Sequence, residues 1–134
     1  MTINYPELQQ ELIREVIPQA LYENYESIYA VDIETSAWQC FYESDSFSSL
    51  RIENRGDDFF GSLTNNIFKT IYPDDQELVQ QKLSIQALLK GVEKEKYYSF
   101  VYRLIIDGQP LYHKLRATKG LVKERPYILI GVRN

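Results

Sequence analysis

Two runs that alternate apolar and polar residues, Tyr98–Ile106 and Pro110–Thr118, meet at Asp107-Gly108. A two-residue type I′ turn needs positive φ at both central positions, and Asp-Gly accepts that geometry at little steric cost. The pair therefore joins the two runs as a β-hairpin. Tyr127–Val132 is a short apolar run, so the last third of the chain reads as three antiparallel strands. Strand parity puts Tyr98, Phe100 and Tyr102 on one face. It groups His113 with Leu111, Leu115 and Ala117 on the face expected to pack under helices.

The first part of the chain supplies those helices. Pro6 suits the first position of a helix on which Leu8, Leu12, Ile13, Val16 and Ile17 recur at helical spacing. Pro18 should kink it, and Ala20, Leu21 and Tyr25 continue the stripe, which must be buried on this domain or on a partner. Ser27–Ile33 alternates as a strand, turns at Glu34-Thr35-Ser36 and returns as Ala37–Tyr42. Ser44–Gly56 is polar and serine-rich and reads as loop. Asp57 or Asp58 can cap a helix carrying Phe60, Leu63, Ile67, Phe68 and Ile71, which Pro73 ends. Asp74 stands three residues before Glu77, the capping-box spacing, and opens a helix through Leu78, Leu83, Ile85, Leu88 and Leu89 that Gly91 should terminate. The expected fold is α+β: a five-stranded antiparallel sheet with helices on one face and an N-terminal flanking helix. Residues 1–25 form the flank and 26–134 the domain.

A chain of 134 residues can bury a core without metal or disulfide staples. One cysteine, Cys40, excludes an internal disulfide and fits a reducing cytoplasm. No apolar run approaches the ~18 residues that span a bilayer, and no signal peptide is visible at the start. The net charge of −4 argues against a nucleic-acid role. With one histidine and one cysteine, most nucleophilic and zinc chemistries lack their parts, and no metal-ligand spacing appears. The acidic residues Glu43, Asp45, Asp57, Asp58, Asp74, Asp75 and Glu77 are explained by loop solvation and helix capping. Cys40 reads as a small buried hydrophobe. His113 is either a cavity-facing group that hydrogen-bonds a ligand or responds to pH, or a strand-end histidine near solvent or satisfied by a tyrosine hydroxyl. The excess of tyrosine, eleven in all, can line a cavity with rings that carry hydroxyl handles.

Three segments, taken in order, resemble the PAS (Per-Arnt-Sim) family of sensor domains. Tyr29-Ala-Val-Asp-Ile-Glu-Thr resembles the first PAS strand and its acidic turn. Ile71-Tyr-Pro-Asp-Asp75 resembles the junction between the last two PAS helices. Tyr102-Arg-Leu-Ile-Ile-Asp-Gly-Gln-Pro-Leu-Tyr-His113, with Gly131-Val-Arg-Asn134, resembles the closing strands. The likeness covers Glu26 to Asn134 and is closest to PAS domains upstream of bacterial diguanylate cyclase (GGDEF) or histidine kinase domains. Tyr112 stands where tryptophan is frequent. The chain stops at Asn134, where such proteins usually run on into a signalling helix and output domain, so an excised domain or a very short protein is expected.

The resemblance implies a sensory and dimerisation module of a bacterial signal-transduction protein, without catalysis of its own, which binds a small molecule or a partner. The expected pocket is Phe60, Leu63, Ile67, Phe100, Tyr102, His113 and Leu115. Leu8, Leu12, Val16 and Leu21 are the expected homodimer contacts. Haem-binding members take an axial histidine from the helices between Asp58 and Leu89, and none lies there. Photosensory flavin-binding (LOV) members carry a helical cysteine motif, whereas Asn65-Asn66-Ile67-Phe68 has none and Cys40 falls on a strand. Neither haem nor a photoreactive flavin is expected, and the ligand's identity stays open. The alternatives are a ligand-free protein–protein adaptor with a filled core and, below it, a small isomerase built round a buried aspartate. Asp32 and Asp107 both stand beside turns, which speaks against the isomerase.

Overall fold

The computed structural model of the chain describes residues 25–45, 55–62, 69–94, 97–122 and 124–134. β1 (Ser27–Asp32), β2 (Trp38–Glu43), β3 (Arg55–Gly56), β4 (Tyr98–Ile106), β5 (Gln109–Val122) and β6 (Arg125–Arg133) form one antiparallel sheet in the order β3-β2-β1-β6-β5-β4. Between β3 and β4 come α1 (Phe59–Ser62), a 3-10 turn at Pro73–Asp75, α2 (Gln76–Lys82) and α3 (Ile85–Lys94). The expected strands are all present. A sixth is added because Arg55 and Gly56, read from sequence as the end of a loop, pair with Gln39 and Trp38 at the sheet edge. Two residues are too few to show an alternating pattern.

β1 lies between β2 and β6, and all six of its residues are buried. Tyr29 and Val31 face the helices and join the main core with Trp38, Phe59, Ile71, Val79, Leu83, Leu88, Leu104, Ile128 and Ile130. Ile28 and Ala30 face the other way and join a second cluster with Phe41, Tyr127 and Leu129. The register between β1 and β2 slips at Ile28/Tyr29, where Ile28 opposes Tyr42 but Tyr29 opposes Cys40. This is a β-bulge, with Phe41 as the extra residue. Simple alternation would put Tyr42 on the inner face with Trp38 and Cys40. The bulge sends Phe41 and Tyr42 both to the outer cluster and brings Glu43 opposite Ser27 on the inner face.

The helical layer departs from expectation in three places. Asp74 and Glu77 do not form a capping box. The residue before α2 is Asp75, and its carboxylate makes no cap bond. It turns to β4, where Oδ2 accepts from the Arg103 backbone N–H and Nε, and Oδ1 accepts from Nη2, each at 2.8 Å. A bidentate, charge-assisted bond to Arg103 outcompetes a cap worth about 1 kcal/mol. The single helix expected from Glu77 to Leu89 is divided, because Ser84 opens α3 by accepting the Ala87 N–H on its hydroxyl at 3.1 Å. Gly91 does not end α3, which runs on to Lys94. Its role is room: a Cβ there would lie 2.2 Å from the Tyr98 ring, so glycine lets α3 lie against β4.

The segment before α2 is stitched to the edge strand. Ile71 bridges to Leu104, the Tyr72 N–H donates to Arg103 O at 2.9 Å, and the Ile105 N–H donates to Thr70 O at 2.8 Å. The Arg103 guanidinium lies 4.3 Å from the Tyr72 ring centre and 5.6 Å from that of Tyr112. Two of the motifs picked out in the sequence, Ile71–Asp75 and Tyr102-Arg103, are therefore halves of one clamp. At the opposite end Asp32, also buried, accepts the Glu34 N–H at 2.8 Å and the Arg125 Nη2 at 2.7 Å, tying the β1–β2 turn to the start of β6.

Asp107 and Gly108 take φ of 51° and 76°, the two left-handed residues of a type I′ turn. A Cβ on Gly108 would meet nothing within 4 Å, so a substitution there is a test of backbone conformation alone. Gly108→Val should lower stability by about 1–2 kcal/mol in urea unfolding, and Gly108→Asn by distinctly less. Equal effects would mean that the turn does not need positive φ.

The Arg103 hydrogen bonds hold the Asp75 carboxyl below the usual carboxylate range. A depressed folded value means that the stabilisation is fully present above the unfolded value, about 4, and disappears as the pH falls through the folded one. Asp75→Asn should lower the melting temperature by a few degrees at pH 7, and the difference from the parent protein should close on acidification below pH ~4. A difference independent of pH would show that the carboxylate charge contributes nothing.

Candidate functional site

The inner sheet face under the helices can be followed in register from edge to edge. One row crosses Phe100, Leu115, Val132, Ser27 and Glu43. The next crosses Tyr98, Ala117, Ile130, Tyr29 and Cys40, and Tyr102 opposite His113 begins a third. Most of this surface is apolar, as a face packed under helices requires. Its polar groups gather toward one end: Ser27 and Glu43 from the centre of the sheet, Tyr102 and His113 from the far hairpin, and Tyr29 and Cys40 one row in.

Ser27 and His113 are buried, as are the Tyr29 and Tyr102 side chains. Burial pushes both tyrosine hydroxyls well above their ordinary range, and proximity to Tyr29 raises Tyr102 further. The Cys40 thiol is pushed up to about 12, by burial first and the Glu43 carboxylate second. His113 Nδ1 lies 2.9 Å from Leu111 O; a carbonyl only accepts, so this ring nitrogen is the donor. Glu43 Oε2 is buried without a hydrogen-bond partner among the described residues, and so is Trp38 Nε1. At neutral pH the tyrosines and the thiol keep their protons. They can donate hydrogen bonds to a guest but supply neither a base nor a thiolate nucleophile.

Phe100, Tyr102, His113 and Leu115, all expected at the pocket, come together here as buried neighbours. Phe60 is half-buried against the same core, its ring 5.3 Å from that of Phe59. Leu63 and Ile67 lie outside the described residues, and so do Leu8, Leu12, Val16 and Leu21. His113 is interior, so only its near-solvent reading falls away. Sequence reasoning missed four inner-face residues: Ser27, Tyr29, Trp38 and Glu43. Tyr29 was legible, since alternation already put it beside Val31. Glu43 was hidden by the bulge, which leaves no mark in the residue pattern.

Asp32 is the buried aspartate on which an isomerase reading would depend. Its oxygens already accept from two backbone N–H groups and from the Arg125 guanidinium, so it serves the turn. Among the described residues no three His, Cys, Asp or Glu side chains converge as a metal site. No helix among them is long and apolar enough to cross a membrane.

No family model and no curated protein matches this sequence. Solved structures do. An RNA-binding light-oxygen-voltage receptor is similar over 80% of this chain, with a TM-score of 0.50 and 17% identity, although the match spans only 28% of that receptor. The PAS domain of a Desulfitobacterium hafniense protein is similar over 87% of this chain and 99% of its own, with a TM-score of 0.44 and 14% identity. A PAS domain from a two-component sensor histidine kinase is similar over 85% of this chain and 88% of its own, with a TM-score of 0.40 and 16% identity. With its first and last strands side by side at the centre of the sheet and its helices gathered between β3 and β4, the chain has the PAS fold that its Ile71–Asp75 and Tyr102–His113 motifs led one to expect.

Proposed function

We propose that this domain is the sensory module of a bacterial cytoplasmic signalling protein. It holds a small polar molecule between sheet and helices and performs no chemistry on it. The observation that carries this reading is the buried polar group on the inner face, above all the Glu43 carboxylate that the bulge brings there. A buried polar atom without a partner costs about 1–3 kcal/mol. A guest that supplies the missing donor offsets that cost, which an empty core cannot do. The matching chemistry is a small organic molecule with an amine or hydroxyl donor for Glu43 and acceptor atoms for the Tyr29 and Tyr102 hydroxyls.

Signal transfer in this reading runs through β6. Its residues Ile130 and Val132 belong to the same inner core, and its end at Arg133 leads toward an output domain such as a diguanylate cyclase or histidine kinase. Occupancy of the face shifts the population of sheet–helix packings, and β6 passes the shift on. A nucleic-acid partner forms no part of the proposal, because the chain carries a net charge of −4.

A ligand-free adaptor is the second reading, and one observation favours it. The rings of Tyr29, Trp38 and Phe59 pack with centroids 5.6–6.2 Å apart, which fills that part of the core without any guest. Native mass spectrometry of freshly purified protein, followed by a thermal-shift screen of small amines, amino acids and hydroxy acids, separates the two. The sensory reading expects a bound mass or a stabilisation of several degrees that Glu43→Leu and Tyr102→Phe both abolish, with the ligand-free Glu43→Leu protein at least as stable as its parent. No bound mass and no shift with any probe would leave the adaptor.

A further inference from the structure

The charge of this chain is unevenly placed. Residues 98–134, which hold β4, β5 and β6, carry seven Lys and Arg against two carboxylates, Asp107 and Glu124. That is a surplus of five positive charges in a chain whose net charge is −4. Asp57, Asp58, Asp74, Asp75 and Glu77 belong instead to the segment of the helices. Segregation of this kind suits a protein that meets a polyanion, either a nucleic acid or a membrane surface. The outer face of the sheet gathers much of the surplus. Parity with Leu129 puts Arg133, Lys114 and Val101 there, in one row across β6, β5 and β4, and Gly131, Arg116 and Ser99 in the next. No Asp or Glu stands on this face of β4 or β5.

Lys114 and Arg133 are exposed and Arg116 is half-buried, and none of the three has an ion pair among the described residues. Lys114 stands opposite Arg133, and like charges so placed repel, so the pair raises the potential of the face. Apolar side chains stand among these cations. Val101 is 53% and Tyr112 is 65% exposed. The Arg116 guanidinium lies 4.3 Å from the ring centre of Tyr97, which is also exposed. On the other side Arg103, whose charge Asp75 takes up, lies 5.6 Å from the Tyr112 ring centre. Each tyrosine is therefore held on the sheet by a guanidinium. Cations alone would serve a nucleic-acid backbone, but Val101 in their midst gains nothing from one. A bilayer surface uses both kinds of residue. Anionic head groups take the cations, while valine enters the head-group zone and tyrosine finds there a place for ring and hydroxyl together.

We infer that the outer face of β4 and β5, together with Arg133, docks on an anionic lipid surface. Lys114, Arg116 and Arg133 lie against the phosphate head groups, Val101 and Tyr112 enter between them, and the helices face away from the bilayer. Each cation near such a surface strengthens partitioning about fivefold. Three together give a factor on the order of a hundred, which makes the association reversible and sensitive to salt. The acidic segment of the helices is repelled by the same surface, so the field of the whole domain selects one orientation. The docking needs no guest on the inner face and does not depend on Glu43.

Co-sedimentation of the full chain with lipid vesicles tests this. At low salt the chain should bind vesicles of equal parts phosphatidylglycerol and phosphatidylcholine and ignore phosphatidylcholine alone. Binding should fall as salt shortens the screening length from about 30 Å at ~0.01 M to about 8 Å at ~0.15 M. Lys114→Gln combined with Arg133→Gln should weaken partitioning about thirtyfold, and Val101→Ser should weaken it several-fold. Both variants should keep the parent's melting temperature, since neither side chain packs in a core. Glu43→Leu should leave vesicle binding unchanged, so the docking and the sensory reading fail separately. No binding to the anionic vesicles, equal binding to both kinds, or binding that the Lys114 and Arg133 changes leave intact would overturn the inference. So would capture of a single-stranded oligonucleotide that those changes abolish while vesicles are ignored, because the polyanion would then be a nucleic acid.

Discussion

The rest of this structure hangs on the pairing of β1 with β6. Ser27 to Asp32 is the first strand of the sheet and Arg125 to Arg133 the last, yet they lie side by side at its centre. Closing a loop of about a hundred residues is slow because the chain entropy is lost before the contacts form. Burial repays it: β1 is covered on both faces, so each of its residues contributes to one of the two apolar clusters. The Asp32–Arg125 ion pair, at 2.7 Å, lies at the end of this pairing and sets its register where the hydrophobic pattern ends.

Around that centre the helices are held less by their own propensity than by the sheet edge. α2 has seven residues, too short to be stable alone. The Thr70–Asp75 segment is anchored to Arg103 and its neighbours through backbone bonds and a bidentate ion pair, and α3 presses Gly91 against Tyr98. The inner face is thus a floor of sheet under a lid stitched at one edge. Ile130 and Val132 of β6 belong to the core between that floor and the helices.

The distribution of polar groups on that floor carries the functional reading. Apolar residues at Ser27, Glu43, Tyr102 and His113 would give a more stable core, because buried polar groups must find partners. Tyr29 belongs both to this polar group and to the ring cluster with Trp38 and Phe59, so the proposed guest site borders a part of the interior that packs by itself.

Strand identity and hairpin position were legible from the residues alone, and parity fixed which residues share a face, but not which face is inward. Period-2 alternation and the Asp-Gly turn are local properties, and local sterics decide them. The same locality explains the clamp motif: Ile71–Asp75 and Tyr102-Arg103 were recognisable as segments, but their contact lies 28 positions apart in sequence. The tertiary structure alone decided that Asp75 bonds Arg103 and not a helix end, that α2 and α3 are separate, and that Gly91 makes room in place of ending a helix. It alone decided that Glu43, not Tyr42, faces inward. Each of these is a competition between a local preference worth about 1 kcal/mol and a contact made by a distant residue, and a sequence states only the first competitor.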